Sequence, residues 1–174
     1  MRHDCDEDRT DDSIFYTDRA AKIEGTKLRK LTCLIHNCQS RQNFPNNESL
    51  LRHMETTHQK TFCKICMKGR TVFIREQRIY HTGNLRRHIE HGDPASANDS
   101  EILPHPWCDF CEEYFFDNGM FSEHLHKMHL ACHLCGENFR HMFYDDYESL
   151  ETHFSRSHFI CPFPECRQKC YVAF

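Results

Sequence analysis

The chain has 174 residues, 22 Lys+Arg against 26 Asp+Glu for a formal net charge of −4, and only six Gly and six Pro. Collagen-like and Gly/Pro-rich disordered classes are excluded. No apolar run approaches the roughly 20 residues of a membrane span, and the start, Met1-Arg2-His3-Asp4-Cys5-Asp6, lacks a signal peptide's apolar core. Twelve Cys and fifteen His occupy 27 of the 174 positions. Without a secretory signal, paired Cys followed by His argue for metal rather than disulfides.

Residues 1–30 are polar apart from Ile14-Phe15-Tyr16 and read as a partly disordered linker with a short helix near 20–30. The first metal group follows at 31–60, Cys33-x4-Cys38-x14-His53-x4-His58. Its helix is expected to start at Asn46 or Asn47, with Phe44 and Leu50 as its small core. The second group, 61–105, is atypical. Cys63-x2-Cys66 is followed by His88, and Gly92-Asp93-Pro94 ends a helix expected to begin at Thr82. Only two residues separate the next His, His91, from His88, below the usual three to five. His105, past the polar loop 95–100, is the alternative fourth ligand, and both stay open on spacing.

The third group, 106–130, has the standard spacing Cys108-x2-Cys111-x12-His124-x4-His129, a helix start at Asp117, and Phe115 and Phe121 as core. The fourth, 131–159, is Cys132-x2-Cys135-x17-His153-x4-His158, with a start at Asp145 and Tyr144 and Leu150 as core. At 160–174, Cys161-x4-Cys166 reads as the first half of a truncated fifth finger. Cys170 is a further thiol there, and 171–174 a following strand. Cys5 has no partner pattern, and His36, His81, His126, His133 and His141 read as surface residues.

Two thiolates on a tight turn and two imidazoles on a helix meet the tetrahedral demand of Zn²⁺. The fold class expected is therefore small zinc-stabilised α+β modules. They would be tandem C2H2-type ββα fingers with short linkers and little continuous core, holding four complete Zn²⁺ sites and one half site. His pairs five apart predict a last turn loosened toward 3₁₀ geometry. Modules this small cannot fold on apolar burial alone; a structural zinc supplies on the order of 10 kcal/mol each.

Charge is uneven. Residues 60–87 carry eight Lys/Arg against Glu76 alone, while 103–158 carry three against ten acids. Only two residues separate His129 from Cys132 and His158 from Cys161. DNA-reading arrays keep longer, uniform linkers so that successive helices follow the major groove. Serial, sequence-specific DNA readout is not expected.

The run Phe62-Cys63-x-x-Cys66, Leu85-x-x-His88 with Gly92-Asp93-Pro94, and His105-Pro106-Trp107-Cys108-Asp109-Phe110-Cys111 resembles the zinc-finger E3 ubiquitin ligases that detect collided ribosomes. So do Phe116-Asp117, His124-Leu125, Cys132-His133-x-Cys135, Tyr144-x-Asp146-Tyr147 and His153-Phe154-x-x-x-His158-Phe159-x-Cys161. The resemblance covers about 30–174, and its His-Pro dipeptide favours His105 as ligand. It implies a cytoplasmic array that binds ribosomes and RNA, with ubiquitin passed to lysines of small-subunit proteins in ribosome-associated quality control. Contacts to RNA phosphates would fall to Lys64, Lys68, Arg70, Arg75, Arg78, Arg86 and Arg87. The family's RING recruits the ubiquitin-conjugating enzyme and needs eight Cys/His ligands. Residues 1–32 offer only His3 and Cys5, so no RING and no catalytic residue is assigned to this chain. The competing expectations are a C2H2 transcriptional regulator and a non-catalytic protein-interaction scaffold.

Overall fold

The computed structural model describes residues 6–7, 15–40, 42–97, 100–135 and 142–168. The expectations for Cys5, His141, Cys170 and the strand at 171–174 lie outside them. The chain divides into two compact units, Met1–Pro104 and His105–Phe174. Secondary structure is local throughout, in two-stranded antiparallel sheets and short helices.

In the first unit, β1 (Asp6–Glu7) pairs with β2 (Phe15–Tyr16). Helix α1 (Arg19–Arg29) follows, capped by the Asp18 carboxylate accepting from Ala21 N–H at 2.8 Å. Residues 15–30 are thus not a free linker: Arg75 donates to the Lys27 carbonyl at 3.2 Å, tying the end of α1 to a 3₁₀ turn at Ile74–Glu76. In the first metal module Phe44 N–H donates to Leu31 C=O at 2.7 Å, and the turn between them has Asn37 in the left-handed region. Its helix α2 (Asn47–His58) is capped by Asn46, which accepts from Ser49 N–H. Strand β3 (Lys60–Phe62) starts after the single cap residue Gln59 and pairs with β4 (Ile79–His81).

The core is small, as the sequence leads one to expect, but in the first unit it crosses from one module to the next. Phe44, Leu50, Leu51 and Met54 of the first module and Phe62 of the second form one buried cluster, flanked by Leu31, Leu34, Ile35, Met67, Ile74 and Ile79. The reason is the immediate start of β3: Phe62 lies only four residues beyond His58, so its ring is delivered onto the apolar face of α2. Between β3 and β4 the pair Cys63 and Cys66 sits at the start of helix α3 (Lys64–Gly69), not on a tight turn. The expected helix start at Thr82 is a 3₁₀ turn (Thr82–Asn84), and α4 runs Leu85–His91.

In the second unit, β5 (Trp107–Cys108) and β6 (Glu113–Tyr114) form a hairpin, and β7 (Leu130–Ala131) and β8 (Phe143–Tyr144) another. Each precedes a helix, α5 (Asn118–Met128) and α6 (Tyr147–Ser157), and α7 (Pro164–Gln168) follows. Asp117 caps α5 as expected. The α6 cap is Asp146, one residue beyond the expected Asp145, accepting from Ser149 N–H at 2.8 Å. That hydrogen bond holds the Asp146 carboxyl below its ordinary range.

The expected 3₁₀ loosening is not how the His pairs converge. Helices α5 and α6 stop one residue short, and His129 and His158 are extended cap residues. At about 100° per residue, five residues would turn the second ring far from the first, and leaving the helix redirects it. In α2 the second ligand candidate, His58, remains the last helical residue.

Because the shared cluster serves both modules of the first unit, Met54→Ala and Phe62→Ala are each expected to cost about 2–5 kcal/mol. Urea denaturation of the zinc-saturated chain measures this.

Candidate metal centres

Four groups, each of two thiols and two imidazoles, have ligand atoms all within 4.8 Å of one another: Cys33, Cys38, His53, His58; Cys63, Cys66, His88, His105; Cys108, Cys111, His124, His129; and Cys132, Cys135, His153, His158. The second group contains His105 and not His91, which is exposed at the end of α4. Sixteen of the eighteen expected ligands therefore fall into four complete groups. The other two, Cys161 and Cys166, interact with each other, and that contact followed by burial raises the Cys166 pKa.

The geometry fits a tetrahedral ion. In the third group, Cys108 and Cys111 Sγ lie 3.4 Å from His129 Nε2, and His124 Nε2 lies 3.2 Å from it. In the fourth, Cys132 and Cys135 Sγ lie 3.2 and 3.3 Å from His158 Nε2, which is 3.2 Å from His153 Nε2. With Zn–S of about 2.3 Å and Zn–N of about 2.0–2.1 Å, the edges of a regular tetrahedron are about 3.5 Å (S···N) and 3.4 Å (N···N). Two Nε2 atoms facing each other cannot both donate, and a cation between them satisfies both. In the first group His58 Nε2 is buried with no hydrogen-bond partner, an acceptor that a metal would satisfy. Mixed thiol and imidazole donors suit Zn²⁺.

Electrostatics agree with that demand. Burial pushes up the Cys33 thiol, reinforced by Cys38, and likewise Cys111 and Cys135 with their partner thiols. For Cys66 the contact with Cys63 leads and burial adds to it. Burial and then the neighbouring imidazole lower the His53 and His153 pKa values. These shifts favour the neutral forms of those four thiols and of His53 and His153 until a cation compensates the charge.

An aromatic ring packs on the first His of every group: Phe44 on His53 (5.0 Å), Tyr80 on His88 (4.2 Å), Phe115 on His124 (4.3 Å) and Tyr144 on His153 (5.2 Å). Tyr80 was not evident from spacing, although its eight-residue lead over His88 nearly matches the nine-residue lead in the other three modules.

Asp93 was also missed. His88 Nδ1–H donates to Asp93 Oδ2 at 2.7 Å, Tyr80 Oη–H donates to the same oxygen at 2.6 Å, and Arg78 approaches it at 3.5 Å. Burial opposes ionisation of this carboxyl, but these partners outweigh it and hold its pKa below the ordinary range. The ionised carboxylate only accepts, so His88 carries its proton on Nδ1 and turns Nε2 toward Cys66 Sγ, 3.4 Å away. His105 is fixed in the same tautomer by donating Nδ1–H to the Phe116 carbonyl at 3.0 Å.

Arg78 also donates to the Pro94 and Ser100 carbonyls at 3.2 and 2.7 Å, pinning the loop that leads to His105. An Asp93–Ile102 bridge closes the loop at its base. Gly92, at φ +69°, starts it; a Cβ there would collide with the Ile102 carbonyl oxygen and crowd Leu103 and Pro104. Of the other cations expected to meet RNA, Lys64, Lys68, Arg75, Arg86 and Arg87 are exposed and Arg70 is half-buried.

With this geometry in view, comparison with known proteins is specific. The chain is 32% identical over 167 residues to the E3 ubiquitin-protein ligase hel2 of Schizosaccharomyces pombe, covering 92% of this chain and 22% of that protein. It is 36% identical over 117 residues to the E3 ubiquitin-protein ligase ZNF598 of Mus musculus, covering 67% of this chain and 13% of that protein. The Saccharomyces cerevisiae HEL2 ligase matches at 26% over 164 residues. The chain belongs to the hel2 and ZNF598 family. It spans only about a fifth of hel2 and less of ZNF598. The resemblance in His105-Pro106-x-Cys108 and Tyr144-x-Asp146-Tyr147 is part of a homology with hel2 that runs along most of the chain. No family model and no solved structure matches it. Among the described residues, no helix is long and apolar enough to cross a membrane.

Elemental analysis of purified chain should return at least four zinc ions. His105→Ala should remove one while His91→Ala removes none. Asp93→Asn should weaken zinc at the second group by about 10–100-fold, read by competition with a chromophoric chelator; unchanged affinity would show that the carboxylate does not orient His88.

Proposed function

We propose that the chain is the ribosome- and RNA-binding zinc-finger array of an E3 ubiquitin ligase acting in the cytoplasm on stalled, collided ribosomes. Each of the four groups holds one Zn²⁺ in a C2H2-type finger, and Cys161 and Cys166 begin a further site. Ubiquitin goes to lysines of small-subunit ribosomal proteins from a conjugating enzyme that docks through a RING, which residues 1–32 do not supply. The observation that carries this reading is the homology to E3 ubiquitin-protein ligases over most of the chain.

The zinc is structural, since each site has four protein ligands and no open position. Attachment falls to the surface of the first unit. Lys64 and Lys68 on α3 and Arg86 and Arg87 on α4 are exposed; these cations suit the phosphates of ribosomal RNA. Arg78 serves the loop before His105 and is not counted among them. Arg86 also meets Glu90 at 2.7 Å, an ion pair at the surface that contributes little to stability.

In a sucrose gradient at low salt, the purified zinc-loaded chain should travel with ribosomes and be released steeply as salt rises, because phosphate contacts release counterions. Charge reversal of Lys64, Lys68, Arg86 and Arg87 together should leave it at the top. Co-sedimentation that survives this reversal would instead favour a protein-interaction scaffold.

A further inference from the structure

The second unit carries an apolar groove that metal binding does not explain. It has a volume of about 920 Å³, with Trp107 of β5, Phe110, Phe121 and Leu125 of α5, Met142 and Phe143 among its walls. Cys108 and Cys132 also line it, so the thiols of two adjacent modules brace its sides. The joint between these modules, Leu130–Ala131, is itself strand β7, and the His126 ring packs edge-on against Phe143 at 5.2 Å. The groove is therefore built by the packing of two modules rather than by one loop. Trp107, Phe110 and Met142 nevertheless remain 39%, 41% and 46% exposed. Clustered apolar exposure of this kind marks a binding surface rather than ordinary scatter.

Charge narrows what would fill it. Among the described residues that line it there is no Lys or Arg, and there is one acid, Asp109. Glu113 lies opposite Cys108 in the hairpin register. Asp145 Oδ1 is 3.8 Å from His129 Nδ1, and the His129 ring packs 4.6 Å from that of Phe110. Three exposed carboxylates thus border the Trp107–Phe110 end. Lys127 on α5 is engaged by Glu123 at 2.5 Å. Across 103–158 the balance is ten acids to three Lys/Arg.

We propose that this groove docks a basic amphipathic peptide helix, its large apolar side chains entering between α5 and β8 and its Lys/Arg residues meeting Asp109, Glu113 and Asp145. A helix laid into an apolar groove supplies both features at one-turn spacing. A nucleic acid would bring phosphates against the same carboxylates. The docking site is separate from the cationic surface of the first unit and does not rest on ribosome attachment.

The test is fluorescence anisotropy with the full zinc-loaded chain and a fluorescein-labelled synthetic helical peptide, with Leu and Phe one turn apart and lysines on the opposite face. Saturable binding is expected, weakened about tenfold or more by Met142→Lys and by Asp109→Lys. It should be lost when the peptide's Leu and Phe become Ser, or its lysines become Glu. Zinc content and circular dichroism equal to wild type establish that both variants are folded. No saturable binding, equal binding of the Ser peptide, or binding indifferent to both variants would overturn the proposal. Self-association of the chain that the peptide cannot compete away would do so too, since a second copy would then fill the groove.

Discussion

The described fold depends on bringing two thiols and two imidazoles within 4.8 Å of one another, four times over. Such a cluster is unfavourable by itself: neighbouring thiols and burial oppose ionisation, and facing Nε2 atoms compete for one proton. A divalent cation reverses each of these penalties at once. The apolar side can do little alone, because the second unit buries only Cys108, Leu150 and Phe154 among its described apolar residues. Its hairpins are two residues per strand, far below the size at which a sheet stands unaided. A bound metal would serve as the core there, with the rings of Phe115 and Tyr144, packed against the His124 and His153 imidazoles, as its apolar lining.

The first unit adds to this a second layer of order. Its two modules share one apolar cluster because β3 begins directly after α2, so Phe62 completes a core whose other members precede it. The atypical second group is then held by polar contacts. Asp93 collects Tyr80, His88 and Arg78 on one oxygen, and Arg78 spans the loop to Pro94 and Ser100. This network does for a long, irregular insertion what helical spacing does for an ordinary His pair: it fixes the tautomer and direction of His88 and shapes the return of the chain toward His105.

The two units also divide surface chemistry. Exposed cations concentrate on α3 and α4 of the first, whereas the second pairs an apolar groove with carboxylates. One chain thus offers an electrostatic surface suited to phosphates and an apolar, acidic one suited to a basic peptide. A uniform charge along the array would have provided only one of these.

The ligand pattern was legible because zinc coordination is written in local spacing: Cys-x2-Cys or Cys-x4-Cys, then His-x4-His, constrains which atoms can meet whatever surrounds them. Helix starts at Asn46 and Asp117 were legible for the same local reason, a side-chain oxygen reaching the third N–H onward. The Asp145/Asp146 choice was off by one because adjacent carboxylates offer the same signal. His91 against His105 could not be decided by spacing alone, since the thirteen residues from Gly92 to Pro104 follow no local rule, and long-range hydrogen bonds of Asp93 and Arg78 help to shape them. The shared core across Phe62, the ring of Tyr80 on His88 and the groove between α5 and β8 were likewise hidden. By itself the sequence determined which cysteines and which histidine pairs of three modules are spaced for a metal, and which family the chain resembles. The tertiary structure decided how the modules share a core, which histidine completes the second group, and where apolar surface is left for a partner, because those outcomes depend on side chains that only folding brings together.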